Sequence, residues 1–160
     1  MIYYGYMIGY LSGTIIFSNE KWIIMDVGGV GYKVFVSPAI IQQGTVGSTV
    51  SLWIYTAVRE DTLDLFGFET QSIQELFELL INVSGIGPKS ALGILAIADI
   101  SSLVHAIKTE NVGYLTQVSG VGKKTAEKIV LELKDKIERL SLTHTHVEAD
   151  YLTDVVEIGR

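Results

Sequence analysis

The stretch Leu80-Ile81-Asn82-Val83-Ser84-Gly85-Ile86-Gly87-Pro88-Lys89-Ser90-Ala91 recurs 35 positions later as Leu115-Thr116-Gln117-Val118-Ser119-Gly120-Val121-Gly122-Lys123-Lys124-Thr125-Ala126. Both copies place an apolar residue and a serine before Gly-x-Gly, an apolar x, then a basic residue, a hydroxyl residue and alanine. A structured motif repeated within one chain is a far stronger signal than a single copy. The residue types describe a helix that ends, a reversal through two glycines, and a new helix that begins within a few residues. The glycines are expected to adopt left-handed dihedrals, and they leave no side chain between the backbone amides and an approaching anion. Ile86 and Val121 are expected to point inward and pin each turn to the core. Pro88 suits the first turn of a helix, where its missing N–H has no partner to lose. The new helix then offers free amides and the positive end of its dipole to a phosphate. Lys89 with Ser90, and Lys124 with Thr125, add charge and hydroxyl donors at the same spot.

Two blander readings compete. One Gly-x-Gly between helices is often only a tight corner, with a solvated lysine beside it; the duplication of the matching Lys and Ser/Thr argues against that. Gly120-Val121-Gly122-Lys123-Lys124-Thr125 also resembles a P-loop on the surface. That motif needs glycine five residues before its Gly-Lys pair and a hydroxyl directly after the lysine. Gln117 and Lys124 occupy those positions, and the preceding segment reads as helix.

Around the repeat the hydrophobic period is helical. Ser72-Ile73-Gln74-Glu75 has the form of a capping box, with Ser72 at the helix start. Ile73, Leu76, Phe77 and Leu80 then make one apolar face. In the last helix Ala126, Ile129, Val130, Leu133, Ile137 and Leu140 line one side. Glu132–Lys136 and Asp135–Arg139 are i, i+4 pairs on the other, most simply a solvated face. Upstream the period is two. Met7–Phe17, Trp22–Val27, Tyr32–Val36, Val50–Arg59 and Leu63–Phe68 read as strands, separated by Ser18–Lys21, by Gly28-Gly29-Val30-Gly31, by a longer Ser37–Thr49 connection and by Glu60-Asp61. Five such strands suffice for a small closed barrel of the OB type. Gly28, Gly29 and Gly31 are expected at positive φ or in a bulge at a tight corner. The expected class is α+β. Residues 1–68 form an OB-like barrel (1–6 an extension), 69–140 a tandem helix-hairpin-helix region, and 141–160 an acidic linker or tail. A linker leading nowhere suggests a piece of a longer protein.

Hydrophobic residues make up 48% and charged residues 19%, a globular composition. No apolar run is long enough to span a bilayer and no basic region precedes an apolar stretch, so neither membrane nor secretion is expected. The absence of cysteine excludes thiolate metal sites and suits a cytoplasmic protein. His144 and His146 lack a third partner, so no metal and no cofactor are expected. The formal net charge of −6 argues against nucleic acid when taken as a sum. Its distribution argues otherwise. Residues 1–69 carry three basic and six acidic groups, residues 70–140 eight of each, and residues 141–160 one and four. Lys89, Lys123, Lys124 and Lys128 gather around the two glycine turns.

At these residues the chain becomes specific. The doubled turn is the helix-hairpin-helix signature of DNA binders without sequence preference. Together with Val27-Gly28-Gly29-Val30-Gly31-Tyr32, Val58-Arg59-Glu60-Asp61, Leu65-Phe66-Gly67-Phe68 and Gly122-Lys123-Lys124-Thr125-Ala126-Glu127, it resembles the RuvA family from about Met7 to Leu140. The resemblance implies a homotetramer, or an octamer on DNA, that binds an open four-way (Holliday) junction during recombination, repair and the SOS response. It implies phosphate contacts from the amides of Gly85, Gly87, Gly120 and Gly122, with Lys89, Ser90, Lys123, Lys124, Thr125 and Lys128 around them. It assigns Glu60 and Asp61 to an acidic pin near the junction centre; by themselves they read as a solvated turn. The implied partners are the RuvB motor, which hydrolyses ATP, and the RuvC resolvase, so no catalytic residue is expected here. Nothing after Leu140 resembles the family's motor-binding domain, which puts coupling to RuvB in doubt.

Other classes are weaker. A DNA glycosylase would need a catalytic aspartate after the hairpin, but Asp135 sits on the charged side of an amphipathic helix. A general duplex binder, or a single-strand binder stacking bases on Trp22, Trp53 and tyrosines, is the remaining alternative; strand aromatics more often belong to the core.

Overall fold

The computed structural model describes residues 8–117 and 121–139. Its first half is a closed five-stranded barrel with strand order β1-β2-β3-β5-β4. The strands are β1 Tyr10–Ser18, β2 Trp22–Val27, β3 Val30–Phe35, β4 Thr49–Val58 and β5 Leu63–Phe68. All pairings are antiparallel except β3 with β5. That parallel pair needs a crossover, which is the 36–48 connection followed by β4. Period-two burial fills the barrel with Leu11, Ile15, Ile23, Met25, Val34, Leu52, Ile54 and Leu65.

The expected strands are all present, with β1 starting later and β3 earlier than the sequence indicates. The reason at β3 is the turn: Gly28 and Gly29, at φ 61 and 90, make a two-residue hairpin closed by the Val27↔Val30 pair. Asp26 Oδ1 accepts from the Gly29 amide at 2.8 Å. Gly31 is a strand residue without positive φ, so its expected role as part of the corner is corrected. The Ser37–Thr49 connection holds a short helix, α1 Pro38–Gln43, with Ser37 as N-cap and proline opening the first turn. That Ser-Pro pair was its only local cue.

The helices that follow are α2 Gln71–Ile81, α3 Pro88–Ile97, α4 Ile100–Lys108, α5 Val112–Gln117 and α6 over residues 123–139. The N-cap of α2 lies two residues before the one expected from the capping box. It is Thr70, whose hydroxyl accepts from the Ile73 amide, and Ser72 lies inside the first turn. The predicted apolar face holds: Leu76, Phe77 and Leu80 are buried, with Ile73 packed beside them. On α6, Ala126, Ile129, Val130, Leu133 and Ile137 are buried as expected, and Leu140 lies outside the described residues. The ion pair formed on this helix joins Lys134 to Glu110 in the α4–α5 connection, in place of either i, i+4 pair.

The barrel has its own apolar interior, and its strand β5 also belongs to a second core made by the helices. Phe66 and Phe68 of β5 belong to the same buried cluster as the helix faces. The Phe77 ring meets Tyr55, Phe66 and Phe68 at centroid distances of 5.3, 5.5 and 4.7 Å. Gln74, nearly buried, donates from Nε2 to the Ile54 carbonyl at 3.0 Å. Such packing fixes α2, and the turn that follows it, against the barrel.

Candidate nucleic-acid interface

The first glycine turn joins α2 to α3. Val83 N–H returns to the Leu80 carbonyl and Ile86 N–H to the Val83 carbonyl, at 3.1 and 3.0 Å. Gly85 sits at φ +94, a conformation that a side chain would strain. Val83 and Ile86 are buried and anchor the loop from below, as expected for Ile86. The second turn joins α5 to α6. Val121 is buried at the position of Ile86, and Ala126 N–H bonds the Gly122 carbonyl at 2.9 Å, as Ala91 N–H bonds Gly87. The two helix starts are therefore built alike. Gly120, with Val118 and Ser119, lies outside the described residues.

One expectation is corrected here. Gly87 has φ −89 and ψ 171, and Gly122 is likewise not in the left-handed region. Neither glycine is needed for its dihedrals. Instead each is exposed, and a Cβ built on either would meet nothing within 4 Å. The absent side chain leaves open space directly over the helix start. Positive φ is thus a requirement at Gly85 and not at Gly87 or Gly122.

The helix starts differ in how their free amides are closed. Ser37 caps α1, Thr70 caps α2 and Asp99 caps α4, each accepting from a first-turn amide. The Ser101 hydroxyl, then the Ser102 amide and hydroxyl, hold the Asp99 carboxyl below its ordinary pKa. Helix α3 begins at Gly87 with no side-chain cap. The unused amides of a helix start and its dipole attract an anion from outside.

Around these starts Lys89, Ser90, Lys123, Lys124 and Lys128 are exposed and Thr125 is half-buried. Among the described residues no carboxylate pairs with any of these lysines. Lys89 Nζ lies 5.3 Å from the centroid of the Phe35 ring of β3. That contact was not anticipated, although the two-residue Gly28-Gly29 turn fixes the β2–β3 register that places Phe35. Glu60 and Asp61 form the exposed tip of the β4–β5 hairpin, where Arg59 N–H bonds the Thr62 carbonyl at 2.9 Å. They stand on the barrel, apart in sequence from both glycine turns.

The RuvA N terminal domain family matches residues 7–67, and the SAM-like Helix-hairpin-helix tandem family matches residues 77–135. Among curated proteins the chain is 45% identical over 137 residues to the Holliday junction branch migration complex subunit RuvA of Citrifermentans bemidjiense, covering 85% of this chain and 69% of that one. This chain belongs to the RuvA family. The RuvA of Limosilactobacillus reuteri is 50% identical over 131 residues, or 82% of this chain and 66% of the relative. That of Halothermothrix orenii is 49% identical over 135 residues, or 84% and 69%. The chain thus spans about two thirds of the length of these RuvA relatives.

Proposed function

We propose that this chain binds four-way junction DNA through its sugar–phosphate backbone, as the junction-recognising subunit of a branch-migration complex. The observation that carries this reading is the contrast in helix starts. α3 opens at a bare glycine with no side-chain cap, and α6 opens at the matching glycine, while α1, α2 and α4 are each closed by a side chain of their own. The lysines around both starts pair with no described carboxylate. The RuvA relatives are named for the junction and for the complex.

Backbone amides, a helix dipole and lysine ammonium groups read phosphate and carry no information about base identity. Binding is then indifferent to sequence and strongly salt-dependent, since each neutralised phosphate releases counterions. Junction preference must come from geometry. Paired hairpins on one subunit grip one stretch of duplex, and a homotetramer presents four such pairs to four arms. Glu60 and Asp61, at a hairpin tip, act as the acidic pin that repels phosphates near the crossover. ATP hydrolysis belongs to a RuvB-type motor, and cleavage to a RuvC-type resolvase. Residues 141–160 lie outside the described residues, and coupling to the motor is a separate question from junction binding.

The test compares a synthetic four-way junction, a linear duplex and a single strand at one fixed salt concentration, with the native mass measured alongside. Tight junction binding by a four-subunit species supports the reading. Equal affinity for duplex and junction replaces it with general duplex binding.

A further inference from the structure

A row of aromatic side chains crosses all five strands on the outside of the barrel. Tyr55 of β4 pairs with Phe66 of β5, Phe66 with Phe35 of β3, and Phe35 with Trp22 of β2. Phe17 of β1 stacks on Trp22 at 5.1 Å and 24°. The row begins under the helices, where Phe66 is buried against Phe77, and emerges through half-buried Phe35 and Trp22 to Phe17, which is 47% exposed. Two lysines lie over its open part. Lys33 Nζ is 4.5 Å from the Trp22 centroid and 5.4 Å from that of Phe35, and Lys89 Nζ is 5.3 Å from the same Phe35 ring.

Lys89 belongs to the first hairpin, and Lys33 belongs to the barrel. One ring therefore joins the barrel to the hairpin interface, with an ammonium group from each beside it. Lys33 is exposed, and no described carboxylate pairs with it. Attraction to the ring faces holds its long side chain in one region while leaving N–H donors directed outward. Rotamer freedom given up in the free protein is not lost again on binding. The barrel is otherwise acidic, with Lys21, Lys33 and Arg59 as its basic groups against six carboxylates. A cation held over aromatic rings beside the hairpin, and paired with none of the described carboxylates, marks a place for an anion.

We infer that Lys33 is a further phosphate-contacting residue, extending the track of the first hairpin from Lys89 across Phe35 onto strand β3. Its ligand is the sugar–phosphate backbone of the same duplex arm, and the inference rests on the hairpin reading above. Trp22 and Phe35 act as positioning residues for the two ammonium groups.

The experiment measures junction affinity against salt for the wild type, Lys33→Ala, Lys33→Arg and the double variant Lys123→Ala/Lys124→Ala. Unfolding midpoints are recorded for each. One lost phosphate contact should flatten the log–log salt slope of Lys33→Ala by about 0.9, or weaken binding about eightfold at 0.1 M salt relative to the 1 M reference. Unrelated junction sequences should lose equally, and Lys33→Arg should keep the wild-type slope. A Lys33→Ala slope equal to wild type, while the double variant is flattened, overturns the inference and leaves the hairpin reading standing. If the double variant is unchanged and Lys33→Ala is flattened, the second hairpin does not reach phosphate, and the track from the first hairpin onto β3 stands.

Discussion

The two glycine turns are near-copies in sequence, yet they open onto different surroundings. In the first, the residue after Gly87 is Pro88, which contributes neither an amide nor a charge to the helix start. In the second, Lys123 stands at that position and contributes both. The first turn carries Lys89 against an aromatic ring of the barrel, and it follows a helix locked to the barrel by Phe77 and Gln74. The second turn precedes α6, which is tied to the α4–α5 connection through Lys134 and Glu110. The first hairpin is thus the poorer in charge and the more firmly held, and the second the richer. A duplicated motif keeps its backbone logic while its charge is redistributed to suit each neighbour.

The largest expected effect exploits that inequality. Lys123→Ala/Lys124→Ala removes two contacts and should flatten the salt slope by about 1.8, roughly 60-fold in affinity at 0.1 M salt. Lys89→Ala should cost about half that slope. Equal slopes for the two variants in a salt titration would show that Lys123 does not reach phosphate.

Next come the glycines, whose two jobs separate cleanly. Gly85→Ala places a side chain at φ +94 and should destabilise the fold by about 1–3 kcal/mol in urea unfolding. Gly122→Val fills the open space over α6. It should cost only about 1 kcal/mol of stability, as a poor N-cap residue, while removing most DNA affinity. Normal binding by Gly122→Val would mean that the helix start does not face the backbone.

How much of this was legible in the sequence follows from the range of each interaction. Strand positions, the apolar faces of α2 and α6 and the inward turn of Ile86 and Val121 come from local period and composition, which one chain displays directly. The α2 cap falls at Thr70 and not at Ser72, although serine is the stronger N-cap residue, so local preference alone does not decide the helix start. The expected positive φ at Gly122 is not found, because Gly-x-Gly alone does not show which of its glycines needs that conformation, as Gly85 does. The surroundings of Lys33 are not legible locally beyond Phe35, because Trp22 comes from β2 and Lys89 from the first hairpin.

Attraction by the hairpins cannot by itself favour a junction over a duplex, and Glu60 and Asp61 sharpen that point. Neutralising them with Glu60→Gln/Asp61→Asn should tighten binding at low salt, on the order of 1 kcal/mol if each carboxylate stands near a phosphate. The gain should shrink as salt screens it. On the proposed pin role the ratio of junction to duplex affinity should fall, because the repulsion would then be aimed at the wrong geometry. A ratio unchanged at two salt concentrations would leave the pair an ordinary solvated turn.

The smallest expected difference, that between wild type and a double exchange of the residues that distinguish the two helix starts, tests the comparison most directly. Pro88→Lys gives the first hairpin the extra amide and ammonium of the second and should steepen the salt slope by about 0.9. Releasing the proline ring should lower stability by about 0.4–1 kcal/mol, since the unfolded chain regains freedom. Lys123→Pro should do the reverse on both counts, as proline is tolerated in a first turn that follows glycine. If charge count alone distinguishes the hairpins, the double exchange restores the wild-type slope, affinity and stability almost fully. If the surroundings matter as well, the double exchange stays weaker than wild type. A lysine at position 88 would then compete with Lys89 and Lys33 beside one aromatic ring, whereas no described aromatic ring lies over Lys123. Measuring the two single exchanges and the double one on a single junction gives that coupling directly, because additivity fails only where the added charge and its new neighbours interact.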